Sequence, residues 1–374
     1  MKTPSIADDF GVTADHDLLR KTARRFLQEK CPLTEVRRLV DDPRGFDPAL
    51  YREMADLGWV GLGVDDAHGG AGMDSLALAL LLEETGRCLL PAPLSSSILA
   101  ATALTRAGTD AAHRLLPALA DGSRIGTVAL TEPGGSWNPA DVATSARRDG
   151  DDWRLDGDKT HVAWAADADV IIAAARDGAD LGLFAVDRAA DGVTVAPEIG
   201  VDSTRRGARV TFAGAPATRL DAGDGAAAWA DILLRGAALL AAEMVGAAQA
   251  ILERTRDYAI ERVQFGRPIG SFQAVKHPIV DVMIATEKAR SLAYGAAAAL
   301  DTAPESAEQL ARAAKAAAEE ALSYAADRGV QLHGGFGFTW DCDAHFYMKR
   351  ALWSAATLGD ARHHRRRLAE VLLG

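Results

Sequence analysis

The second half of this 374-residue chain is a series of long helical patterns, and no other feature limits the possible folds as much. Before Arg262, one helix face carries apolar or small residues at alternating spacings of four and three: Met244, Ala248, Ile251, Thr255 and Tyr258. Gly266 and Pro268 end that helix. The patterns predict helices over about 226–264, 272–299, 306–333 and 341–357, with a short basic tail helix after them. Long amphipathic helices joined by short breaks predict a four-helix bundle.

The chain before this bundle changes its pattern twice. Up to about residue 120 it is helical, with helices predicted over 17–28, 48–57 and 76–87. From 142 to 219, short apolar runs alternate with Asp-Gly pairs, which favour hairpin turns because glycine tolerates positive φ. These pairs are Asp149-Gly150, Asp156-Gly157, Asp177-Gly178 and Asp191-Gly192.

Together these patterns predict an α+β multidomain protein. We expect an N-terminal all-α domain over 1–122, a middle antiparallel β-barrel-like domain over 123–222 and a C-terminal four-helix bundle over 226–374.

Charge and composition exclude several classes of partner. The formal net charge of −11 argues against nucleic acid and against an anionic membrane surface, since neither attracts an acidic protein. The three cysteines are far apart and show no metal-ligand spacing. The N-terminus lacks the apolar core of a secretory signal, and we find no run of eighteen apolar residues. We therefore expect a cytoplasmic protein without a bound metal.

Two stretches carry side chains that suit a ligand. The first clusters a cation, an aromatic ring and an amide at the break in the helices: Arg262, Phe265 and Gln273. By itself it fits a helical hairpin with a polar turn equally well. In the second stretch, Gln331 precedes Gly334 and Gly335, which let a backbone approach a ligand closely.

The two stretches together resemble signatures of the acyl-CoA dehydrogenase family. They read Arg262-Val-Gln-Phe-Gly, with Gln273 seven residues after Gly266, and Gln331-Leu-His-Gly-Gly-Phe-Gly. The resemblance implies that these residues bind the adenine and pyrophosphate end of FAD, in large part across a subunit interface to the flavin of a neighbouring protomer.

Two further segments resemble landmarks of the same family. Leu130-Thr-Glu-Pro-Gly-Gly-Ser136 is a simple turn in isolation, but it is similar to the family loop that lies against the flavin and the thioester, with one residue fewer. Thr131 and Ser136 are therefore candidate contacts. In the strand starting at Lys159, His161 takes the place of the aromatic residue that covers the flavin in the family.

The family's reaction needs a base that this chain lacks at the usual place. The resemblance implies removal of an α-proton of an acyl-CoA by a carboxylate and transfer of the β-hydrogen as hydride to the flavin, giving a trans-2-enoyl-CoA. Electrons then pass to an electron-transfer flavoprotein. Here Leu358 stands at the glutamate position, and Gly236 stands at the alternative one. Asp360 and Glu243 are the nearest candidate bases, although Asp360 equally suits a helix cap.

Three functions follow as alternatives. The chain is an active acyl-CoA dehydrogenase with a relocated base, or a non-catalytic FAD-binding subunit of a heteromeric acyl-CoA dehydrogenase, or a flavin oxidase on the same fold. Its assembly is accordingly a homo-oligomer or a pair with a related subunit. Leucine, glycine and alanine stand where other family members carry bulky or charged residues, which favours a wide pocket suited to a branched or polycyclic acyl group.

Overall fold

The structure is a computed structural model that describes residues 10–150 and 152–373. The chain divides into two compact units, and each is assembled from separate stretches. The first unit contains the residues up to Arg38, Asp74–Leu90 and the chain from Leu234 onward, and the second contains Leu39–Met73 and Pro91–Leu233. The helices predicted before residue 122 are therefore shared between the two units.

Twelve α-helices lie within the described residues. In chain order they are α1 Ala14–Lys30, α2 Leu33–Val40, α3 Pro48–Asp56, α4 Ser75–Arg87, α5 Leu94–Ala107, α6 Asp110–His113, α7 Leu116–Ala120, α8 Gly225–Glu261, α9 Gln273–Thr302, α10 Pro304–Leu332, α11 Ala344–Ala356 and α12 Ala361–Leu373.

Polar caps explain where several of these helices begin. The Thr13 side chain accepts from the backbone N–H of His16 at the start of α1, and Asp74 accepts from the backbone N–H of Ala77 at the start of α4. Such caps satisfy backbone donors that the first helical turn leaves without partners. His16 Nε2 lies 2.9 Å from Asp74 Oδ1, so the two caps also join α1 to α4.

The first unit is the helical bundle that the sequence predicts, enlarged by two earlier helices. Helix α10 packs against α9, α11 and α12, while α4 packs against α1 and α9. Among the described residues, one helix, α8, is both long enough and apolar enough to cross a membrane, judged by length and composition alone. In its most apolar stretch, 67% of the residues are buried inside the protein, as is usual for the core helix of a bundle.

The second unit contains a seven-stranded sheet. Its strands are β1 Gly126–Ala129, β2 Ser145–Asp149, β3 Asp152–Ala163, β4 Val170–Asp177, β5 Asp180–Asp187, β6 Val193–Glu198 and β7 Gly207–Arg219. The pairings β4–β2, β2–β3, β3–β7, β7–β5 and β5–β4 close a ring, which confirms the barrel-like prediction. The sheet is not purely antiparallel, however, because β1 and β2 run parallel to β4.

The Asp-Gly pairs occupy different positions in this sheet. Gly150 and Gly178 have positive φ in the β2–β3 and β4–β5 hairpins, as predicted. Gly192 lies in the longer connection before β6, which pairs with β7. Gly157 lies inside β3 with φ 146°, next to a shift in the pairing register. The hairpin predicted there is wrong, because a β-bulge also favours a glycine at such a position.

Candidate flavin and acyl-CoA sites

The break after α8 is a tight hairpin that projects its side chains into solvent. Strands β8 Val263–Gln264 and β9 Arg267–Pro268 pair through a turn at Phe265 and Gly266, which have φ of 53° and 77°. Two consecutive residues with positive φ give the twist that a two-residue hairpin needs. Phe265 is 91% exposed, and Arg262 and Gln273 are exposed as well.

The end of α10 lies directly beside the end of α8. The ring of His333 stacks on Tyr258 at 4.4 Å between centroids, and His333 Nδ1 lies 2.7 Å from the carbonyl oxygen of Gly329. A Cβ at Gly329 would lie 2.6 Å from a side-chain carbon of Ile251, so the two helices touch closely. Burial lowers the pKa of His333, which favours a neutral ring in this stack.

This contact brings the two signature stretches to the same end of the bundle. Gln331, Gly334 and Gly335 are exposed, and no heavy atom would lie within 4 Å of a Cβ added at either glycine. An exposed guanidinium, exposed amides and an open glycine backbone fit a nucleotide pyrophosphate and an adenine edge. These residues can therefore hold the FAD that the family carries.

In the second unit, the loop with Thr131 is fastened to β3. Thr131 Oγ1 donates to the carbonyl oxygen of Thr160 at 2.8 Å, and Thr160 N–H donates back to the carbonyl oxygen of Thr131 at 3.0 Å. Thr131 is buried. Its hydroxyl thus fixes the loop, and its contact with a flavin stays a prediction.

An ion pair behind this loop was not visible in the sequence. Lys159 is fully buried, and its Nζ donates to Glu132 Oε1 at 2.8 Å. Glu132 also accepts from the backbone N–H groups of Ala143 and Thr144 at 2.8 and 2.9 Å. Burial lowers the pKa of Lys159 although Glu132 opposes this. Burial alone would raise the pKa of Glu132, yet the bond from Lys159 keeps it lowered.

Ser136 and His161 occupy different surroundings in this unit. Ser136 Oγ donates to Asp141 Oδ2 at 2.6 Å, so its hydroxyl closes a local turn. His161 has φ 54°, and its backbone N–H donates to Glu198 Oε2 at 2.8 Å. Its Nδ1 lies 3.2 Å from the same oxygen, and its side chain is 76% exposed. Glu198 thereby contacts both the backbone and the ring of His161.

The segment that carries the base in the family is closely held in this chain. Leu358 is buried and has φ 59°, a conformation that costs a leucine energy and persists only where neighbours impose it. His364 Nε2 lies 2.8 Å from its carbonyl oxygen. The fully buried Lys315 donates to the carbonyl oxygen of Gly359 at 2.9 Å. Burial lowers the pKa of Lys315 to about 8 and that of His364 to about 3.

Both candidate bases already have structural roles. Asp360 Oδ1 accepts from the backbone N–H of His363 at 2.7 Å, which is an N-cap of α12. Glu243 is 3% exposed, and its Oε1 accepts from Nη1 of the fully buried Arg350 at 2.8 Å. This ion pair holds the Glu243 carboxylate in the interior of the bundle.

Comparisons with known proteins cover nearly the whole chain. Three family models match it: the acyl-CoA dehydrogenase N-terminal domain at 13–123, the middle domain at 127–213 and the C-terminal domain at 223–373. Acyl-CoA dehydrogenase IpdE2 of Mycolicibacterium smegmatis is 36% identical over 96% of this chain and 100% of its own length.

Two solved structures show the same fold. The Tcur3481–Tcur3483 steroid ACAD variant has a TM-score of 0.89 at 32% identity and covers 99% of both chains. The ChsE4–ChsE5 complex from Mycobacterium tuberculosis has a TM-score of 0.88 at 27% identity, covering 97% of this chain and 98% of that one. The three matched domains, the relatives and the geometry agree, and the chain belongs to the acyl-CoA dehydrogenase family of FAD-dependent oxidoreductases.

Proposed function

We propose that this chain contributes to FAD-dependent dehydrogenation of an acyl-CoA as the flavin-contributing subunit of a heteromeric enzyme, and that a related subunit supplies the base. The observation that carries this proposal is the occupied base position. Leu358 is buried there, and Lys315 and His364 hold its segment in place. The nearby carboxylates of Asp360 and Glu243 cap a helix and pair with an arginine.

The exposed signature residues support the flavin part of the proposal. Arg262 would bind the pyrophosphate, while Gln273, Gln331 and the backbone at Gly334 and Gly335 would bind the adenine end. All five are exposed on the isolated chain, as residues that bind a neighbouring protomer's cofactor would be. When bound, FAD accepts a hydride from the β-carbon. An electron-transfer flavoprotein would then accept the electrons, and we place the enzyme in the cytoplasm.

The second unit would serve the same cofactor. Thr131 and Ser136 lie in a loop that Glu132 and Lys159 fix, and His161 lies in the next strand segment with its ring held by Glu198. These contacts support the proposal by holding the loop in one position. Fixed loops favour catalysis because they require little reorganisation during the reaction.

We propose a polycyclic acyl group as the substrate class. A structure at 32% identity over 99% of the chain is that of a steroid ACAD, and the ChsE4–ChsE5 relative is a complex of two different chains. Glycine at the alternative base position would leave room where other members carry a carboxylate. Both the paired assembly and a wide acyl pocket are consistent with these relatives.

Anaerobic titration of the purified chain tests the proposal. We expect less than one FAD per chain, and no loss of the oxidised-flavin absorption on addition of acyl-CoA thioesters that include straight, branched and polycyclic groups. Co-expression with a family member that carries the glutamate should restore both FAD content and bleaching. Full bleaching of the chain alone, abolished by Asp360→Asn or Glu243→Gln, would instead establish a relocated base.

A further inference from the structure

Two of the chain's three cysteines lie together at the ends of neighbouring helices. Cys31 ends α1 and Cys88 ends α4, and these helices pack against each other. Contact with the Cys88 side chain, together with burial, raises the pKa of the Cys31 thiol. Cys342 is buried elsewhere in the chain and forms no part of this pair.

The pair lines a cavity that is open to small polar molecules. Cys31, Cys88 and Tyr347 all border it, and its volume is about 470 Å³. Cys31 is fully buried, whereas Cys88 is only partly buried. Arg24 and Arg87 border the same cavity, and each is paired there with a glutamate. Because Cys88 is the more exposed of the two thiols, it is the one that an oxidant meets first.

We propose that Cys31 and Cys88 are a dithiol modification site that hydrogen peroxide converts reversibly into a disulfide. The Cys88 sulfur attacks one peroxide oxygen, the O–O bond breaks, and proton transfer yields a sulfenic acid and one water molecule. The Cys31 sulfur then displaces the hydroxyl from the Cys88 sulfur, and its proton leaves with that hydroxyl as a second water molecule. Two thiols are oxidised to one disulfide, and one peroxide is reduced to two water molecules.

The backbone around Cys88 links this site to α11. The carbonyl oxygen of Arg87 accepts from Tyr347 Oη at 3.0 Å, and that of Leu89 accepts from Arg350 Nη2 at 3.3 Å. A disulfide at Cys88 would therefore restrain the segment that anchors α11. It would also close a long loop of chain back to Cys31, which lowers the entropy of the unfolded state.

Peptide mapping of the full-length protein tests the proposal. The reduced chain is treated with hydrogen peroxide, free thiols are blocked, and tryptic peptides are compared with and without reductant. We expect free thiols to fall from three to one per chain, with peptides 31–37 and 88–106 joined. Dithiothreitol should restore all three thiols. Cys342→Ser is the matched control and should form the same link.

Variants that lack one cysteine distinguish a specific disulfide between Cys31 and Cys88 from nonspecific oxidation of thiols. In Cys31→Ser, Cys88 should accumulate as a sulfenic acid that dimedone traps, and in Cys88→Ser the buried Cys31 should stay reduced. The linked form should unfold at a temperature no lower than the reduced form. The proposal is overturned if the link forms only in urea, if Cys342 reacts first, or if linkage lowers the unfolding temperature.

Discussion

At the scale of single residues, this protein uses buried charges to hold loops rather than to perform chemistry. Lys159 and Lys315 are both fully buried, and each donates to groups in a loop segment, Glu132 in one case and the carbonyl oxygen of Gly359 in the other. A buried ammonium is costly unless its donors are satisfied. These lysines therefore fix the positions of the loops, and replacing either one should lower the free energy of unfolding.

The Lys159–Glu132 pair provides a direct test of this cost. Lys159→Met leaves the largely buried Glu132 without its cation, so we expect the free energy of unfolding to fall by about 2–4 kcal/mol in urea titrations. Arg147 and Asp156 form a more exposed pair at 3.5 Å, and Arg147→Met should cost less than about 1 kcal/mol. Equal losses in the two variants would contradict a structural role for the buried pair.

His364 should make the protein sensitive to acid. Burial lowers the pKa of His364 to about 3 from its usual 6.5, so the unfolded chain binds a proton at mildly acidic pH that the folded chain does not. The free energy of unfolding should then fall as pH drops from 6.5 to 3, by up to about 1.4 kcal/mol per pH unit. The contribution of His364 to the free energy of unfolding is fully present above pH 6.5.

The slope of stability against pH can be measured by chemical denaturation. His364→Asn should flatten it, even if the variant is less stable overall. His277 is exposed, and His277→Asn should leave the slope unchanged. An unaltered slope in His364→Asn would show that other groups cause the acid sensitivity.

At the scale of elements, two glycines decide how α4 and α8 cross. A Cβ at Gly86 would lie 1.9 Å from the carbonyl oxygen of Glu243, and one at Gly246 would lie 1.8 Å from that of Glu83. The helix backbones therefore touch directly at this crossing. Such contact fixes the position of Glu243 and thereby its pairing with Arg350.

Substitution of either crossing glycine should separate the helices. We expect Gly246→Ala to lower the free energy of unfolding by about 1–3 kcal/mol, because the added methyl overpacks the contact. At Gly295, also within a helix, the nearest atom would be 3.4 Å away, on Phe10. Gly295→Ala should be neutral or stabilising, since alanine favours helix. Thermal unfolding of both variants distinguishes packing from helix propensity.

At the scale of the whole molecule, the proposed contacts with a cofactor are made by the exposed signature residues. Arg262→Ala should weaken FAD binding about tenfold or more, because a charge-assisted bond to a phosphate is worth about 1.5–3 kcal/mol. Arg256 pairs with Asp257 on the same helix, and Arg256→Ala is the control. Flavin fluorescence measures binding in both variants of the paired enzyme. Unchanged affinity in Arg262→Ala would remove Arg262 from the site.

Much of this organisation was predictable from local pattern. Helices α8 to α11, the barrel-like sheet and the two signature stretches follow from periodicity, turn residues and motif spacing, all of which act over a few residues. The hairpin predicted at Asp156-Gly157 was wrong because a bulge and a turn favour the same residue types. The pairs Lys159–Glu132 and Glu243–Arg350 join residues distant in sequence, so no local pattern identifies them.

The sequence by itself therefore determined the family and the order of helical and sheet regions, because each depends on neighbouring residues. Only the tertiary structure decided that Asp360 caps α12, that Glu243 is paired with Arg350, and that Cys31 and Cys88 border one cavity. Burial and long-range contact set the charge and reactivity of a side chain, and these arise only when separate stretches of the chain pack together.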